Sequence, residues 1–377
     1  MMTYLVSFFS ANLLVMNNIY DFFLPIYQQY GMSAICDELY LHKGTIKRWI
    51  EKKEVPPQYY FDLCRVADIH VDYSQFSEKE KDQFFTHKDT AQYCYNKAIE
   101  VLTNLNVNIS EFTFIEPSAG DGSFYSLMPE DRRIGVDIEP KREDIIQSDF
   151  LNWKPSTKNN ICIGNPPFGL RGHLALKFTN HAAEFCDFVC FVLPQLFDSN
   201  GKGSCRGRVK GLNLIHSEVV DSSFYYPDGK TVSVNVVFQI WAKNHKIEER
   251  QINLSSIVKI YSLSDGGSPG NTRNKKHLYT CDYYLPSTSF GSNSIRIYDD
   301  FEKLPHRRGY GIVVLNYKEE VDNIIRNIDW SEVSFHSTNG ANNLRFDIIE
   351  KTIWQYLPLP LQQLAEDQSN PLKNALY

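Results

Sequence analysis

The chain has 377 residues, 42% hydrophobic and 22% charged, with a formal net charge of −6. That length exceeds one ordinary core and implies two or three domains of soluble globular type. The negative balance excludes a generally basic nucleic-acid binder and leaves room only for local basic strips. The apolar run from Tyr4 to Val15 has no Lys or Arg, and the first basic residue is Lys43. It lacks the positive region of a signal peptide and is too short to span a membrane. It reads either as a packed helix or as sequence ahead of a start at Met16. The eight cysteines are scattered, and the one close pair, Cys186 and Cys190, has no His or Cys partner at zinc spacing. Buried thiols, no metal and a reduced, cytoplasmic compartment are expected.

Residues 1–76 are expected to form an N-terminal helical region. Met32–Leu39 reads as one helix, Leu41–Gly44 as a turn, and a second helix begins at Thr45, the expected N-cap. Pro56-Pro57 ends that helix, and Tyr60–Ala67 makes a third. Two short helices across a Gly-bearing turn resemble a helix-turn-helix, in which Lys43, Thr45, Lys47 and Arg48 would face DNA. The alternative is a plain three-helix bundle with a solvated basic face.

A polar linker near 77–90 leads to a helix from about Asp89 to Leu102. Strands are then expected at Phe112–Ile115, Arg133–Asp137, Ile145–Ser148, Ile161–Ile163 and Phe188–Leu193. Helices are expected from near Ser123 and over His173–Glu184. Val232–Trp241 reads as a long β run. This alternation implies a doubly wound, mostly parallel α/β sheet over 77–244. From 245 to 377 Gly, Ser, Asn and aromatic segments mix with short β runs such as Tyr310–Leu315. That composition implies a separate C-terminal α+β domain, with a frayed tail after Glu366.

The chemistry sits at the strand ends. The turn Glu116-Pro117-Ser118-Ala119-Gly120-Asp121-Gly122 lets backbone approach a ligand closely, although it lacks the three-glycine dinucleotide pattern. Asp137 closes the second strand, where a carboxylate can accept both ribose hydroxyls of a nucleoside cofactor. Asp149 can accept from an adenine amine, and Phe150 can pack on the ring. Asn165-Pro166-Pro167-Phe168 follows the next strand. Two prolines remove two N–H donors and fix two φ angles, so the turn is stiff. An amide oxygen and a carbonyl can then accept both hydrogens of an amine on a planar ring stacked on Phe168.

Residues 84–241 resemble the S-adenosylmethionine-dependent DNA adenine-N6 methyltransferases, with the gamma-type motif order. The motifs that carry the likeness are Glu116–Gly122, Gly135-Val136-Asp137, Ser148-Asp149-Phe150 and Gly164–Gly169. The resemblance implies a Rossmann-like catalytic domain with S-adenosylmethionine as cofactor and no metal. The implied cofactor set is Phe85, Thr86, Glu116, Pro117, Ser118, Ala119, Gly120, Asp121, Gly122, Asp137, Ile138, Asp149, Phe150 and Asn165. The implied catalytic set is Asn165, Pro166, Pro167 and Phe168. A second aromatic from Phe224-Tyr225-Tyr226-Pro227, with Tyr226 favoured, would bracket a flipped-out base. Arg206, Arg208 and Lys210 are expected to contact phosphate. The C-terminal domain is expected to read the target, with Arg307, Arg308 and Asn339–Asn343 as base-edge candidates. Asp121 between two glycines departs from the family pattern, as does the N-terminal helical region. The implied partner is double-stranded DNA, and no membrane is involved. A cognate restriction endonuclease, the oligomeric state and the recognition sequence stay open. RNA methylation, release-factor glutamine methylation and an inactive DNA-binding regulator are the rival readings.

Overall fold

The structure is a computed structural model, described for residues 18–77, 81, 84–199, 204–220, 223–225, 229–233, 236–246, 252–264, 280–290, 295–300, 308–336 and 341–367. It divides into two compact units, Met1–Pro194 with Arg208–Lys246, and Gln195–Gly207 with Ile247–Tyr377.

The first unit opens with helices α1 (Tyr20–Glu38), α2 (Lys43–Lys52) and α3 (Tyr60–Val66). They close around Phe22, Phe23, Ile35, Ile46, Trp49, Tyr60 and Leu63. The helix expected at Met32–Leu39 is the second half of the longer α1, interrupted at Gly31 with φ +78°. Thr45 is not the cap of α2. His42 holds that place, and its Nδ1 accepts the Gly44 N–H at 3.0 Å, which leaves Thr45 inside the first turn.

The chain then enters β1 (Phe85–Thr86) and α4 (Lys88–Asn104). The central sheet comprises β2 (Thr113–Glu116), β3 (Arg133–Asp137), β4 (Ile146–Gln147), β5 (Asn160–Gly164), β6 (Phe188–Pro194), β7 (Asn213–Val220) and β10 (Val236–Ala242). Its order is β4-β3-β2-β5-β6-β10-β7, parallel from β4 to β6, with β10 antiparallel to both its neighbours. This is a Rossmann-like α/β sheet. Strands β5 and β6 are buried along their whole length, because a central parallel strand is covered on both faces. Helix α5 (His173–Phe185) links them. The sheet grows outward from β2 through β3 to β4, then crosses back to β5 on β2's other side. That reversal leaves a crevice at the carboxyl ends of β2 and β5, where ligands bind in open α/β sheets.

Two expectations fail locally. No α-helix starts near Ser123. Asp121 Oδ1 accepts both the Ser123 N–H and hydroxyl, and Glu116 Oε2 takes the Tyr125 N–H at 2.6 Å, so only a short 3-10 turn forms at Tyr125–Leu127. The β run expected at Val232–Trp241 is two strands in different sheets. Strand β9 (Thr231–Ser233) pairs with β8 (Ser223–Tyr225), which pairs with β1 in a small separate sheet.

The second unit is α+β. One sheet has the order β11-β14-β12 (Val258–Ser264, Arg308–Val314, Tyr283–Pro286), and the other β13-β16-β15 (Thr288–Phe290, Ala341–Asn343, Phe335–His336). Helices α6 (Lys318–Asn327), α7 (Phe346–Tyr356) and α8 (Leu359–Asp367) complete it around Leu285, Ile312, Ile325, Trp330 and Ile353. The expectations for Tyr4–Val15, Tyr226, Arg307, Asn339 and most of the tail lie outside the described residues.

Candidate active site

A cleft occupies the β2/β5 crevice. Pro117, Ser118, Gly120, Asp137, Ile138, Asp149 and Phe150 line one part of it. Asn165, Pro166, Pro167, Phe168, Phe85 and Phe224 line another. Residues expected to act together from four separate sequence motifs therefore meet around one cavity.

The Asn165–Phe168 turn is fixed at both ends. The Asn165 carbonyl accepts the Ser118 hydroxyl at 2.9 Å, which ties the β5 turn to the β2 turn. The Phe168 carbonyl accepts the N–H groups of Leu174 and Ala175 at the start of α5, each at 3.2 Å. Gly169 between them has φ +65°, and a Cβ there would lie 2.6 Å from His173 and 2.7 Å from Leu174. Only glycine fits such a turn without strain. The Asn165 side-chain oxygen is buried and has no hydrogen-bond partner. Buried polar groups are nearly always satisfied, so an unpartnered acceptor on a residue that lines a cleft is a candidate partner for a ligand's donor.

The other end is satisfied in advance. Asp137 Oδ2 accepts the Gly120 N–H at 2.8 Å, and Oδ1 accepts the Glu139 N–H at 2.7 Å. Burial pushes the Asp137 carboxyl up, and these two N–H groups oppose the shift without cancelling it. A carboxylate has about four acceptor positions, so each oxygen keeps one for a ligand. Gly120 has φ +51°, and a Cβ on it would meet the Phe85 ring at 2.9 Å. Phe85 thus roofs the glycine turn. Asp149 is held in a similar way: its Oδ2 accepts from Arg65 Nε at 3.1 Å and its Oδ1 from the Leu151 N–H at 3.0 Å. Phe150 is nearly fully buried and stacks on Phe178 at 5.2 Å, so it floors the cleft from within the core.

Five expected cofactor residues, Thr86, Glu116, Ala119, Asp121 and Gly122, do not line the cleft but belong to the strands and the turn beside it. Glu116 is fully buried, and burial, then the charges of Asp121 and Asp137, hold its carboxyl well above the usual range despite the Tyr125 N–H. Asp121 accepts the Tyr225 hydroxyl at 2.5 Å, which links the glycine turn to β8. Thr86 pairs with Phe224 and Phe85 with Tyr225. Tyr225 is therefore engaged, Phe224 is buried against the cleft, and Tyr226 lies outside the described residues.

Lys43, Lys47 and Arg48 are exposed on α2, with Thr45 half-buried beside them. Of the three loop residues expected to contact phosphate, Arg206 and Arg208 share one short 3-10 turn. Arg206 belongs to the second unit, where burial lowers its pKa. Arg208 donates to the Tyr40 carbonyl at 2.9 Å, and Lys210 is exposed. Among the described residues no cluster of His, Cys, Asp and Glu can hold a metal, and no helix is long and apolar enough to cross a membrane.

The cleft also contains residues that carried no motif signal, among them Phe61, Arg65, Tyr73 and Glu139. Nothing local marks them, since the first three lie in the N-terminal helical region, which reads as separate from the catalytic domain.

No family model matches the chain. It is 28% identical over 115 residues to a type II methyltransferase of Paramecium bursaria Chlorella virus XZ-6E, 26% of this chain and 28% of that protein. It is 33% identical over 78 residues to a type II methyltransferase of Thermus thermophilus, 18% of each. The matches span less than a third of the curated relatives' length. Among solved structures, magnesium protoporphyrin IX methyltransferase from Synechocystis with bound SAM aligns loosely, at 10% identity and a TM-score of 0.28, covering 46% of this chain and 86% of that one.

Proposed function

We propose that the chain is an S-adenosylmethionine-dependent methyltransferase acting on the exocyclic N6 amine of an adenine extruded from duplex DNA. The observation that carries this reading is the orphaned Asn165 oxygen, buried beside two prolines in the cleft that Asp137 and Asp149 also line. The partial likeness to type II methyltransferases supports it.

The residues present fit the cofactor. Asp137 keeps two acceptor positions for ribose hydroxyls, and the side-chain-free Gly120 under Phe85 admits close approach of the ligand to backbone. When bound, S-adenosylmethionine supplies an electrophilic methyl carbon on a sulfonium. The chain's own part is to prepare the amine. An adenine amine is a poor nucleophile because its lone pair is delocalised into the ring. Asn165 Oδ1 and the Pro166 carbonyl accept its two hydrogens and favour a pyramidal nitrogen, which localises the pair for attack. The stiff turn sets that geometry beforehand, so the gain is positioning plus transition-state stabilisation. Phe168 stacks on the base and excludes water. The proton leaves the nitrogen after the bond forms, so no strong base is needed.

A base in a duplex cannot reach such a cleft without flipping out. Lys43, Lys47 and Arg48 on the exposed face of α2 are the candidates for phosphate contact, and the second unit for reading the target sequence. The test is transfer of tritium from labelled cofactor to duplex DNA, RNA and release factor offered in parallel. Label in DNA, recovered as N6-methyladenine, is expected. Label only in RNA or protein overturns the substrate.

A further inference from the structure

A further part of the cleft lining comes from the helical region, outside every methyltransferase-like motif. Phe61 on α3 and Tyr73 in the turn Tyr73–Gln75 stack at 5.3 Å, with 26° between their planes, and both line the cleft with Asp137 and Pro166. Tyr60 and Phe76 brace Phe61 edge-on at 5.6 and 4.9 Å. The two braces are core residues, 0% and 5% exposed, whereas Phe61 and Tyr73 are only half-buried. Phe61 packs against the helical core and still lines the cleft.

Arg65 lies one helical turn after Phe61, on the same face. Its Nε donates to Asp149 at 3.1 Å and one terminal nitrogen donates to Asp62 at 3.2 Å. With the Leu151 N–H on its other oxygen, the Asp149 carboxylate is held at two points. Asp62 in turn meets His173 Nε2 at 2.7 Å, which anchors the frame to α5.

We propose that the segment 61–73 is part of the cofactor site. Phe61 and Tyr73 form a ring wall for the cofactor's adenine, and Arg65 is a positioning residue that aims Asp149 at the adenine's amine. This rests on the reading that S-adenosylmethionine occupies the cleft.

The test is equilibrium binding of S-adenosylhomocysteine and of S-inosylhomocysteine, which carries oxygen in place of the amine, to the full chain. Phe61→Ala should weaken S-adenosylhomocysteine about tenfold, the scale of a lost base–aromatic stack. Phe61→Leu keeps the apolar packing and should also weaken binding at an unchanged melting temperature. Wild type should prefer the adenine form, because an aimed carboxylate accepts from an amine and repels an oxygen. Arg65→Gln should shrink that preference several-fold, which a merely structural role would not do. Unchanged affinity in both Phe61 variants, or an unchanged preference in Arg65→Gln, overturns the proposal. Asp137→Ala separates the two levels: if it too leaves binding intact, the cofactor reading itself fails.

Discussion

The two ends of the cleft are built in opposite ways. At the Asn165 end the side-chain acceptor is buried and unpartnered, in a turn whose Asn165 carbonyl accepts from the Ser118 hydroxyl and whose Phe168 carbonyl accepts from the Leu174 and Ala175 N–H groups. At the Asp137 and Asp149 end every carboxylate oxygen already accepts a hydrogen bond, from Gly120, Glu139, Leu151 or Arg65. A group that acts on a transient substrate is left free. On the proposed function, the carboxylates that would hold the cofactor are prebonded, and each oxygen keeps an acceptor position. The contrast predicts that damage at one end appears in turnover and at the other in affinity.

The largest effect is expected at Asn165. Asn165→Ala should lower kcat about 100- to 1,000-fold, the scale of losing one preorganised polar contact to a transition state. S-adenosylhomocysteine affinity, measured by calorimetry, should barely change. Equal losses in both would erase the distinction between the ends. Next comes Gly169→Ala. Left-handed backbone costs an L-residue roughly 1–2 kcal/mol, and the contacts with His173 and Leu174 add to it. A marked drop in melting temperature and a low kcat are expected. Asp137→Ala should weaken cofactor affinity before turnover. It also leaves the Gly120 and Glu139 N–H groups unpaired, at about 1–3 kcal/mol for each that stays buried. Thermal melts with and without S-adenosylhomocysteine separate the two losses.

A smaller, pH-dependent effect is expected where the helical region meets α5. His173 Nε2 faces Asp62 and Nδ1 faces the Leu170 carbonyl at 2.9 Å, so both partners are acceptors. Both ring nitrogens must then donate, which makes the ring an imidazolium. Burial alone would lower its pKa, but the Asp62 carboxylate and its hydrogen bond outweigh burial and raise it. The sign follows. The stabilisation is complete below the unfolded histidine pKa of about 6.5 and is lost as pH rises through the folded value. Asp62 is shifted the other way. Burial would raise it, but His173 and Arg65 hold it below the usual carboxylate range, so its contribution is lost on acidification. Melting temperature should fall on the alkaline side in wild type and flatten there in His173→Gln. The smallest effect is at the α2 cap, where His42→Ala should lower the melting temperature slightly and Thr45→Ala less.

The strand framework was legible because it is local. Apolar runs end at Asp137, Asp149 and Gly164, and central parallel strands need no alternation to be recognised. Misreadings arose where side chains compete for backbone donors. Asp121 and Glu116 capture the N–H groups that a helix at Ser123 would need, and His42 takes the cap assigned to Thr45. What no local pattern carries is contact between distant segments. Arg65 reaches Asp149 across 84 residues and Asp62 reaches His173 across 111. A region that reads as a DNA-facing accessory therefore also lines the cleft.

The most direct measurement is nucleoside analysis of DNA from cells expressing the chain or its Asn165→Ala variant. Total DNA would be digested to nucleosides and separated by mass. N6-methyldeoxyadenosine above the host background with the wild type, and at background with the variant, is the outcome expected from an amide-and-carbonyl cradle for the adenine amine. Equal levels from the two chains would contradict it.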